Sequence, residues 1–366
     1  MPSSESPGAL PPGSTIGILG GGQLGRMLAL AAARLGLRTH VYCPDAESPA
    51  FDVSAEHTRA AYDDAAALDT FASAVDVVTY EFENVPVAAA ERLAARVPVR
   101  PGARALAVAQ DRLDEKRFLS DAGIPVAPYA AVDDGTGLDA AVAALGLPAV
   151  LKTRRFGYDG KGQAAIRTDA DTAAAFAAIG GAPAVLEGFV RFAREVSVIA
   201  ARGLDGRMAS YDLVENVHRD HILHTSTVPA RVRSETGAEA PAIAERILSA
   251  LDYVGVIGIE FFVLEDDGRE RLLVNELAPR VHNSGHWTED ACAVSQFENH
   301  VRAVAGWPLG PTARHADVVM TNLIGTEAAE WLALAADPDA RLHLYGKRAI
   351  RPGRKMGHVN RLARRA

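Results

Sequence analysis

Two apolar stretches, residues 254–264 and 271–276, flank the turn Asp266-Asp267-Gly268, and each carries one acid within it. An acid–glycine turn between apolar runs is a hairpin signal. Glu260 sits in Gly258-Ile259-Glu260-Phe261-Phe262 and Glu276 in Val274-Asn275-Glu276-Leu277. An unpaired charge inside an apolar strand is costly to bury. A hairpin sets the two carboxylates side by side with Asn275 nearby. Paired carboxylates and an amide oxygen are hard ligands of the kind Mg²⁺ prefers. The plainer alternative is one salt-bridged acid and one solvated acid.

Weaker features precede the hairpin. Lys152 ends the apolar strand 148–152. A lysine there can hold its ammonium over a phosphate as a point charge, or simply face water. Gly157-Tyr158-Asp159-Gly160-Lys161-Gly162-Gln163 follows. Such a glycine-rich tip can cover phosphates with backbone N–H groups and one cation. It lacks the spacing and the Ser or Thr of a Walker loop. Glu187-Gly188-Phe189-Val190 leaves the strand 184–186, where backbone groups can pair with an adenine edge. Glu195 beyond it can accept ribose hydroxyls, or cap a strand end in water.

The N-terminal part reads differently. Short apolar strands at 15–19, 38–42 and 75–80 alternate with helical stretches at 24–35 and 63–74, which predicts a parallel sheet with crossover helices. Gly20-Gly21-Gly22-Gln23-Leu24-Gly25 fits G-x-G-x-x-G between strand and helix. Its free helix-start amides attract an anion. Asp45 lies twenty residues after Gly25, the spacing of a ribose-binding acid. An NAD(P)-dependent dehydrogenase, another phosphate ligand and a structural turn are all open readings of this motif alone.

The chain after residue 110 reads as α+β. A helix is expected at 111–122, ended by Gly123 and Pro125, strands at 184–189, 195–201 and 208–216, and a second helix at 241–251. The expected organisation is a disordered tail at 1–13 and a Rossmann-like domain at 14–110. A domain at 111–305 with a lid at about 125–190 and a small C-terminal domain at 306–366 complete it. A length of 366 residues fits two or three domains. With 46 acidic and 38 basic residues the net charge is −8, which speaks against a generic nucleic-acid binder. Cys43 and Cys292 are too few for a disulfide framework or a four-cysteine zinc site. Without a secretory signal or an uncharged apolar run of ~20 residues, the expected setting is the cytoplasm and not a membrane.

Taken in order, the lysine, the glycine-rich tip, the acid after a strand and the two hairpin acids resemble the ATP-grasp superfamily. Further motifs resemble the 5-(carboxyamino)imidazole ribonucleotide synthases of purine synthesis. These are GGGQLGRM at 20–27, TYEFENV at 79–85, QDRLDEK at 110–116, GYDGKGQ at 157–163 and NELAPRVHNSGHWT at 275–288. Tyr345-Gly346-Lys347 and Arg354-Lys355-Met356-Gly357-His358 complete the set, so the resemblance spans about 16–359. Val281 departs from it by replacing a usual proline, which loosens that loop's backbone.

The resemblance implies an ATP-grasp fold with an N-terminal Rossmann-like domain, and a homodimeric ligase. It would join bicarbonate to 5-aminoimidazole ribonucleotide at the expense of ATP, with Mg²⁺ as cofactor and Mn²⁺ as the alternative. It places Arg112, Lys152, Gly157, Tyr158, Asp159, Gly160, Lys161, Gly162, Gln163, Glu187, Gly188, Phe189, Val190, Glu195, His218, Asn275 and Glu276 at ATP. Glu260 and Glu276 would hold the metal. Gly22, Gln23, Leu24, Glu81, Asn283, Ser284, His286, Lys347, Arg354 and Lys355 would meet the ribonucleotide. Asp159, Tyr158, Lys161 and Arg280 are the catalytic candidates, with Asp159 to orient or deprotonate the amine. A sibling ligase using formate or another acceptor is the alternative within the superfamily.

Overall fold

The structure, a computed structural model, describes residues 8–157 and 160–365. Strands β1 (Thr15–Leu19), β2 (Arg38–Tyr42), β3 (Glu56–Thr58) and β4 (Val77–Tyr80) form a parallel sheet in the order β3-β2-β1-β4. The helix Gln23–Arg34 buries Leu24, Met27 and Leu28 on one face, as the apolar spacing predicts. This is the expected Rossmann-like arrangement. The helix expected at 63–74 is Ala65–Ser73, and its N-cap Asp64 accepts the Ala67 N–H.

Strands β5 (Tyr129–Val132), β6 (Ala149–Thr153), β7 (Gln163–Ile166) and β8 (Ala184–Gly188) make a separate antiparallel sheet, ordered β5-β8-β6-β7. It carries the glycine-rich tip between β6 and β7. The helix Arg112–Asp121 connects this part of the chain to the N-terminal domain, with Asp111 as its N-cap. Arg154 clamps that cap, its Nη2 lying 2.8 Å from Asp111 Oδ2.

The largest sheet contains β9 (Arg194–Arg202), β10 (Met208–Ser210), β11 (Val214–Arg219), β12 (Ile222–Val228), β13 (Gly255–Asp266), β14 (Arg269–Ala278), β15 (Ala316–Ile324), β16 (Ala340–Leu344) and β17 (Lys355–Arg364). Its order is β14-β13-β9-β11-β12-β15-β17-β16, with β10 on β9. The acid hairpin is therefore one edge of the sheet, turning at Asp267 and Gly268, both at positive φ (45° and 72°). That is the turn geometry whose twist suits a two-residue hairpin.

Several expectations change. The strand expected at 208–216 is split into β10 and β11, and the break buries Tyr211, whose hydroxyl donates to Val294 O at 3.0 Å. The helix expected at 241–251 begins at Ser234, with Pro241 inside it. The buried stripe Thr236, Ala240, Ile243, Ala244 and Ile247 runs through the proline and holds both turns to the sheet. The C-terminal segment has no sheet of its own, because β15 pairs with β12 (Thr225 beside Thr321). Nor are residues 8–13 a loose tail. Leu10 N–H donates to Ala305 O at 2.8 Å and Leu10 O accepts Trp307 Nε1–H at 2.7 Å.

His300, on the buried helix Gln296–Val304, ties the N-terminal sheet to the central one. Val256 N–H donates to its Nδ1 at 3.0 Å, so Nε2 carries the proton and donates to Thr79 Oγ1 at 2.8 Å. Burial lowers its pKa from 6.5 to about 3. The unfolded chain then binds a proton that the folded chain refuses. Stability contributed by neutral His300 is full above pH 6.5 and is lost as pH falls toward 3, by at most about 1.4 kcal/mol per pH unit. Denaturant titrations at pH 7, 6 and 5 should show this loss, and His300→Gln should make the slope shallower.

Candidate active site

Glu260 and Glu276 are direct cross-strand partners on β13 and β14. The register shifts between Glu260 and Phe261, so Asn275 is the extra residue of a β-bulge beside the acid pair. Burial, then the charge of Glu276, holds the Glu260 carboxyl above the ordinary carboxylate range. One cation and one imidazole face the pair, and burial holds the pKa of that imidazole, His282, well below its ordinary value. Arg112 Nη1 lies 3.5 Å from Glu276 Oε2, and His282 Nε2 lies 3.4 Å from Glu260 Oε1. Asn275 Oδ1 is buried without a hydrogen-bond partner. Two carboxylates with too little counter-charge and an orphaned amide oxygen fit a hard divalent cation.

The cations of the site converge from one sheet and one helix. Lys152 Nζ on β6 donates to Glu187 Oε2 on β8 at 3.1 Å. Lys116, only 1% exposed, places its Nζ 3.6 Å from the same oxygen and donates to Asn275 O at 3.0 Å. Burial depresses the Lys152 pKa. Burial would raise that of Glu187, but Lys152 and Lys116 hold it below its usual value. Glu115, beside Lys116, accepts Leu277 N–H at 3.0 Å, and burial pushes its carboxyl up to about 8.

The glycine-rich tip lies over these groups. Arg112 Nη2 donates to Gly157 O at 3.2 Å, and Thr153 N–H donates to Gly162 O at 2.8 Å ahead of Gln163 and β7. A Cβ on Gly160 would come within 2.6 Å of His221, so the tip touches the β11–β12 turn. Lys161 is not without a partner. Tyr158 and Asp159 lie outside the described residues. At the end of β8 and just past it, Gly188 and Phe189 give their own N–H groups to Pro128 O (2.8 Å) and Pro148 O (3.1 Å), while Val190 is half-buried. Glu195 Oε2 lies 2.7 Å from His218 Nδ1. Burial works against protonation of that imidazole, but Glu195 and Glu260 raise its pKa.

The first glycine turn is filled from within. Glu81, 8% exposed, accepts Gly22 N–H at 2.6 Å and Gly25 N–H at 3.0 Å. A Cβ at Gly20 would strike its side chain at 2.6 Å. An acid occupies two of the amides that a pyrophosphate would need, which removes the dinucleotide reading of this motif. Gln23 and Leu24 remain at the start of the helix. Nearby, Lys347 donates to Lys355 O at 2.7 Å and Arg354 to Ala349 O at 2.8 Å. Burial, with Arg354, lowers the Lys347 pKa to about 8. Lys355 also has a partner and lies among the charges felt by Glu260 and His282.

The loop after β14 divides into facing and buried residues. Arg280 is ion-paired with Glu83 and donates to Val281 O at 3.1 Å. His282 is clamped by Gln296, which accepts its N–H at 2.9 Å and donates to its carbonyl at 2.7 Å. That clamp supplies the rigidity that Val281 in place of proline leaves out. Asn283, Ser284 and His286, expected at the ribonucleotide, are turned into the protein. Asn283 exchanges amide bonds with Asn322 at 3.0 and 2.7 Å, Ser284 bonds Ser197 and His282, and His286 Nδ1 lies 3.1 Å from Gln296 Nε2. Glu289, His343 and His358 gather ligand atoms within 4.8 Å of one another. Yet the two rings stack 4.4 Å apart with 3° between their planes, so one ion cannot lie in both.

With this geometry in place, three family models match consecutive parts of the chain. They describe a ribonucleotide synthetase preATP-grasp domain (14–110), an ATP-grasp domain (117–297) and a phosphoribosylaminoimidazole carboxylase C-terminal domain (318–366). The N5-carboxyaminoimidazole ribonucleotide synthase of Brucella melitensis is 58% identical over 356 residues, covering 97% of this chain and 98% of its own. The chain belongs to the N5-carboxyaminoimidazole ribonucleotide synthase family. The synthase of Pseudomonas aeruginosa is 49% identical, covering 94% of this chain and 93% of its own. Among solved structures, an ADP complex of such a synthetase superposes with a TM-score of 0.93 at 42% identity, covering 98% of this chain and 94% of its own. The Aspergillus clavatus synthase with ADP and 5-aminoimidazole ribonucleotide gives a TM-score of 0.90 at 33% identity, covering 96% and 94%. These enzymes are ATP-grasp ligases, and so is this chain.

Sequence reasoning missed Glu83, Glu115, Lys116 and His282 as members of the site. Each stood inside a quoted motif, so the signal was the motif's remaining charged positions. If the acid-filled turn excludes dinucleotides, calorimetric titration with NAD or NADP should give no heat of binding at millimolar ligand. Tight binding that weakens in Asp45→Ala would reverse this conclusion.

Proposed function

We propose that this chain binds ATP, bicarbonate and 5-aminoimidazole ribonucleotide and forms N5-carboxyaminoimidazole ribonucleotide, ADP and phosphate. One observation supports it most. The buried Lys116–Glu187–Lys152 group and the Glu260–Glu276 pair meet under one glycine-rich tip, in a chain of this family. Cations on one side and hard oxygen ligands on the other suit a triphosphate with its metal.

In this reading a bicarbonate oxygen attacks the γ-phosphorus, the bond to the ADP oxygen breaks, and carboxyphosphate forms. The exocyclic amine of the ribonucleotide then bonds to the carboxyl carbon, phosphate leaves, and the amine gives up a proton. Lys152 and Lys116 hold phosphate oxygens. Arg112 couples the tip to Glu276 through its bonds to both. Mg²⁺, held by Glu260 and Glu276 with Asn275 Oδ1 beside them, would neutralise charge on the transferring phosphoryl group. Arg280, kept in place by Glu83, faces the bicarbonate. Asp159, Tyr158 and Lys161 are the catalytic candidates of this reading, with Asp159 to orient or deprotonate the amine.

The ribonucleotide's 5′-phosphate sits between the helix start at Gln23 and Leu24 and the basic residues Lys347, Arg354 and Lys355. Glu81 oxygens retain lone pairs beyond the two glycine bonds and can accept ribose hydroxyls. A homodimer, which the family resemblance implies, and a cytoplasmic setting belong to the same reading.

Phosphate release from ATP tests the reading, with bicarbonate and aminoimidazole ribonucleotide supplied separately and together. Full turnover is expected only with both, and turnover with formate in place of bicarbonate would favour a sibling ligase. Glu276→Gln should fold but lose most turnover even at saturating Mg²⁺, because the loss falls on kcat. An unchanged kcat would remove Glu276 from the metal site. Lys347→Ala removes one charge-assisted bond of ~1.5–3 kcal/mol. It should raise the KM for the ribonucleotide at least about 10-fold and leave the KM for ATP nearly unchanged.

A further inference from the structure

Behind the acid pair a continuous line of buried polar side chains crosses the central sheet. The Ser226 hydroxyl on β12 donates to Asn216 Oδ1 on β11 at 2.8 Å. Asn216 Nδ2 donates to Ser197 Oγ on β9 at 2.9 Å. The Ser197 hydroxyl donates to Ser284 Oγ at 2.7 Å, and Ser284 Oγ lies 2.9 Å from His282 Nδ1. His282 Nε2 lies 3.4 Å from Glu260 Oε1. Ser226, Ser197 and Ser284 are wholly buried, and Asn216 and His282 nearly so.

The order of these bonds has a direction. An amide accepts only at oxygen and donates only at nitrogen, whereas a hydroxyl has a single proton to give. Asn216 receives a proton from Ser226 and offers one to Ser197. Ser197 must then use its own proton on Ser284, and Ser284 uses its proton on His282 Nδ1. A second bond supports this direction, since Ser284 N–H also donates to His282 Nδ1, at 3.4 Å. A neutral imidazole that accepts at Nδ1 carries its proton on Nε2. That proton faces Glu260. His282 packs closely on Gly258, where a Cβ would lie 2.6 Å from the His282 Cβ.

We infer that Asn216, Ser197 and Ser284 are positioning residues that fix His282 as its Nε2–H tautomer. The one ring N–H of His282 then orients the Glu260 carboxylate. Groups behind a metal-binding side chain commonly act in this way. The inference deepens the proposed function, since the role of Glu260 rests on that reading. The tautomer does not rest on it.

The decisive measurement is ¹⁵N NMR of the full-length protein with labelled histidine, free of nucleotide and metal. The His282 signal is assigned by its disappearance in His282→Gln. The wild type should show the Nε2–H form. Asn216→Asp replaces the donating nitrogen with an oxygen, so Ser226 and Ser197 both donate to it. Ser284 then donates to Ser197, and His282 is left to donate from Nδ1. The variant should lose the pure Nε2–H pattern, whereas Ser226→Ala should keep it. In a Ser284→Ala background the Asn216→Asp change should no longer reach the ring. The same Asn216→Asp variant should need about 10-fold more Mg²⁺ for half-maximal turnover.

A wild-type His282 in the Nδ1–H form overturns the inference, even if Asn216→Asp does not fold. An unmoved ring signal in folded Asn216→Asp overturns it as well. A changed tautomer with an unchanged Mg²⁺ requirement overturns the link to Glu260 alone. Failure of the wild type to couple phosphate release to both substrates would strike the proposed function and leave the tautomer result standing.

Discussion

Glu260 and Glu276 stand opposite each other in a ladder of backbone hydrogen bonds that neither side chain can leave. Much of the surrounding architecture follows from that enforced proximity. Two carboxylates at this distance repel, and burial disfavours the charge of Glu260. The hairpin alone offers no relief. Relief has to arrive from other parts of the chain: the charge of Arg112 from the connecting helix and the neutral imidazole of His282 from the loop beyond β14. The site is thereby an obligate product of tertiary structure, although its two acids are neighbours in one hairpin.

The same logic explains the lysine side. Lys116 and Lys152 share one oxygen of Glu187; Lys116 and Glu187 are deeply buried and Lys152 largely so. Removing one lysine would leave a buried charge short of its partner, which is far more damaging than exchanging an exposed pair. One sheet and one helix supply these three groups, and the second sheet joins them through Asn275 O, which accepts from Lys116. Their relative placement is fixed by charge neutrality as much as by apolar contact.

The fold was legible where periodicity was simple. Alternating short strands and helices gave the parallel sheet, and Asp267-Gly268 gave the hairpin turn. The acids Glu260 and Glu276 could be found because they interrupt apolar runs. Other features were hidden for identifiable reasons. Pro241 reads as a helix start, but the buried stripe on either side outweighs its missing N–H. Glu81 looks like a ligand-facing acid at a strand end. Only the three-dimensional path of the glycine turn shows that it bonds Gly22 and Gly25. Asn283, Ser284 and His286 are polar and close to the acids in sequence, yet a tight turn at Asn283–Gly285 points them inward. Polarity marks a residue as needing partners, and it does not say whether those partners are protein or ligand.

The central sheet passes without interruption from the acid hairpin, through β12, into β15, β17 and β16. A chain shortened before β15 would leave the edge of β12 at Thr225–Val228 with unsatisfied backbone donors and acceptors, an invitation to pair with another molecule. The C-terminal unit is therefore not a module that evolution or an engineer can exchange freely. Any replacement must present a strand of matching length, twist and register to β12 before it can offer a new basic surface to a substrate. Sequence change in this family should find an easier route by altering side chains on the existing strands than by swapping the unit that carries them.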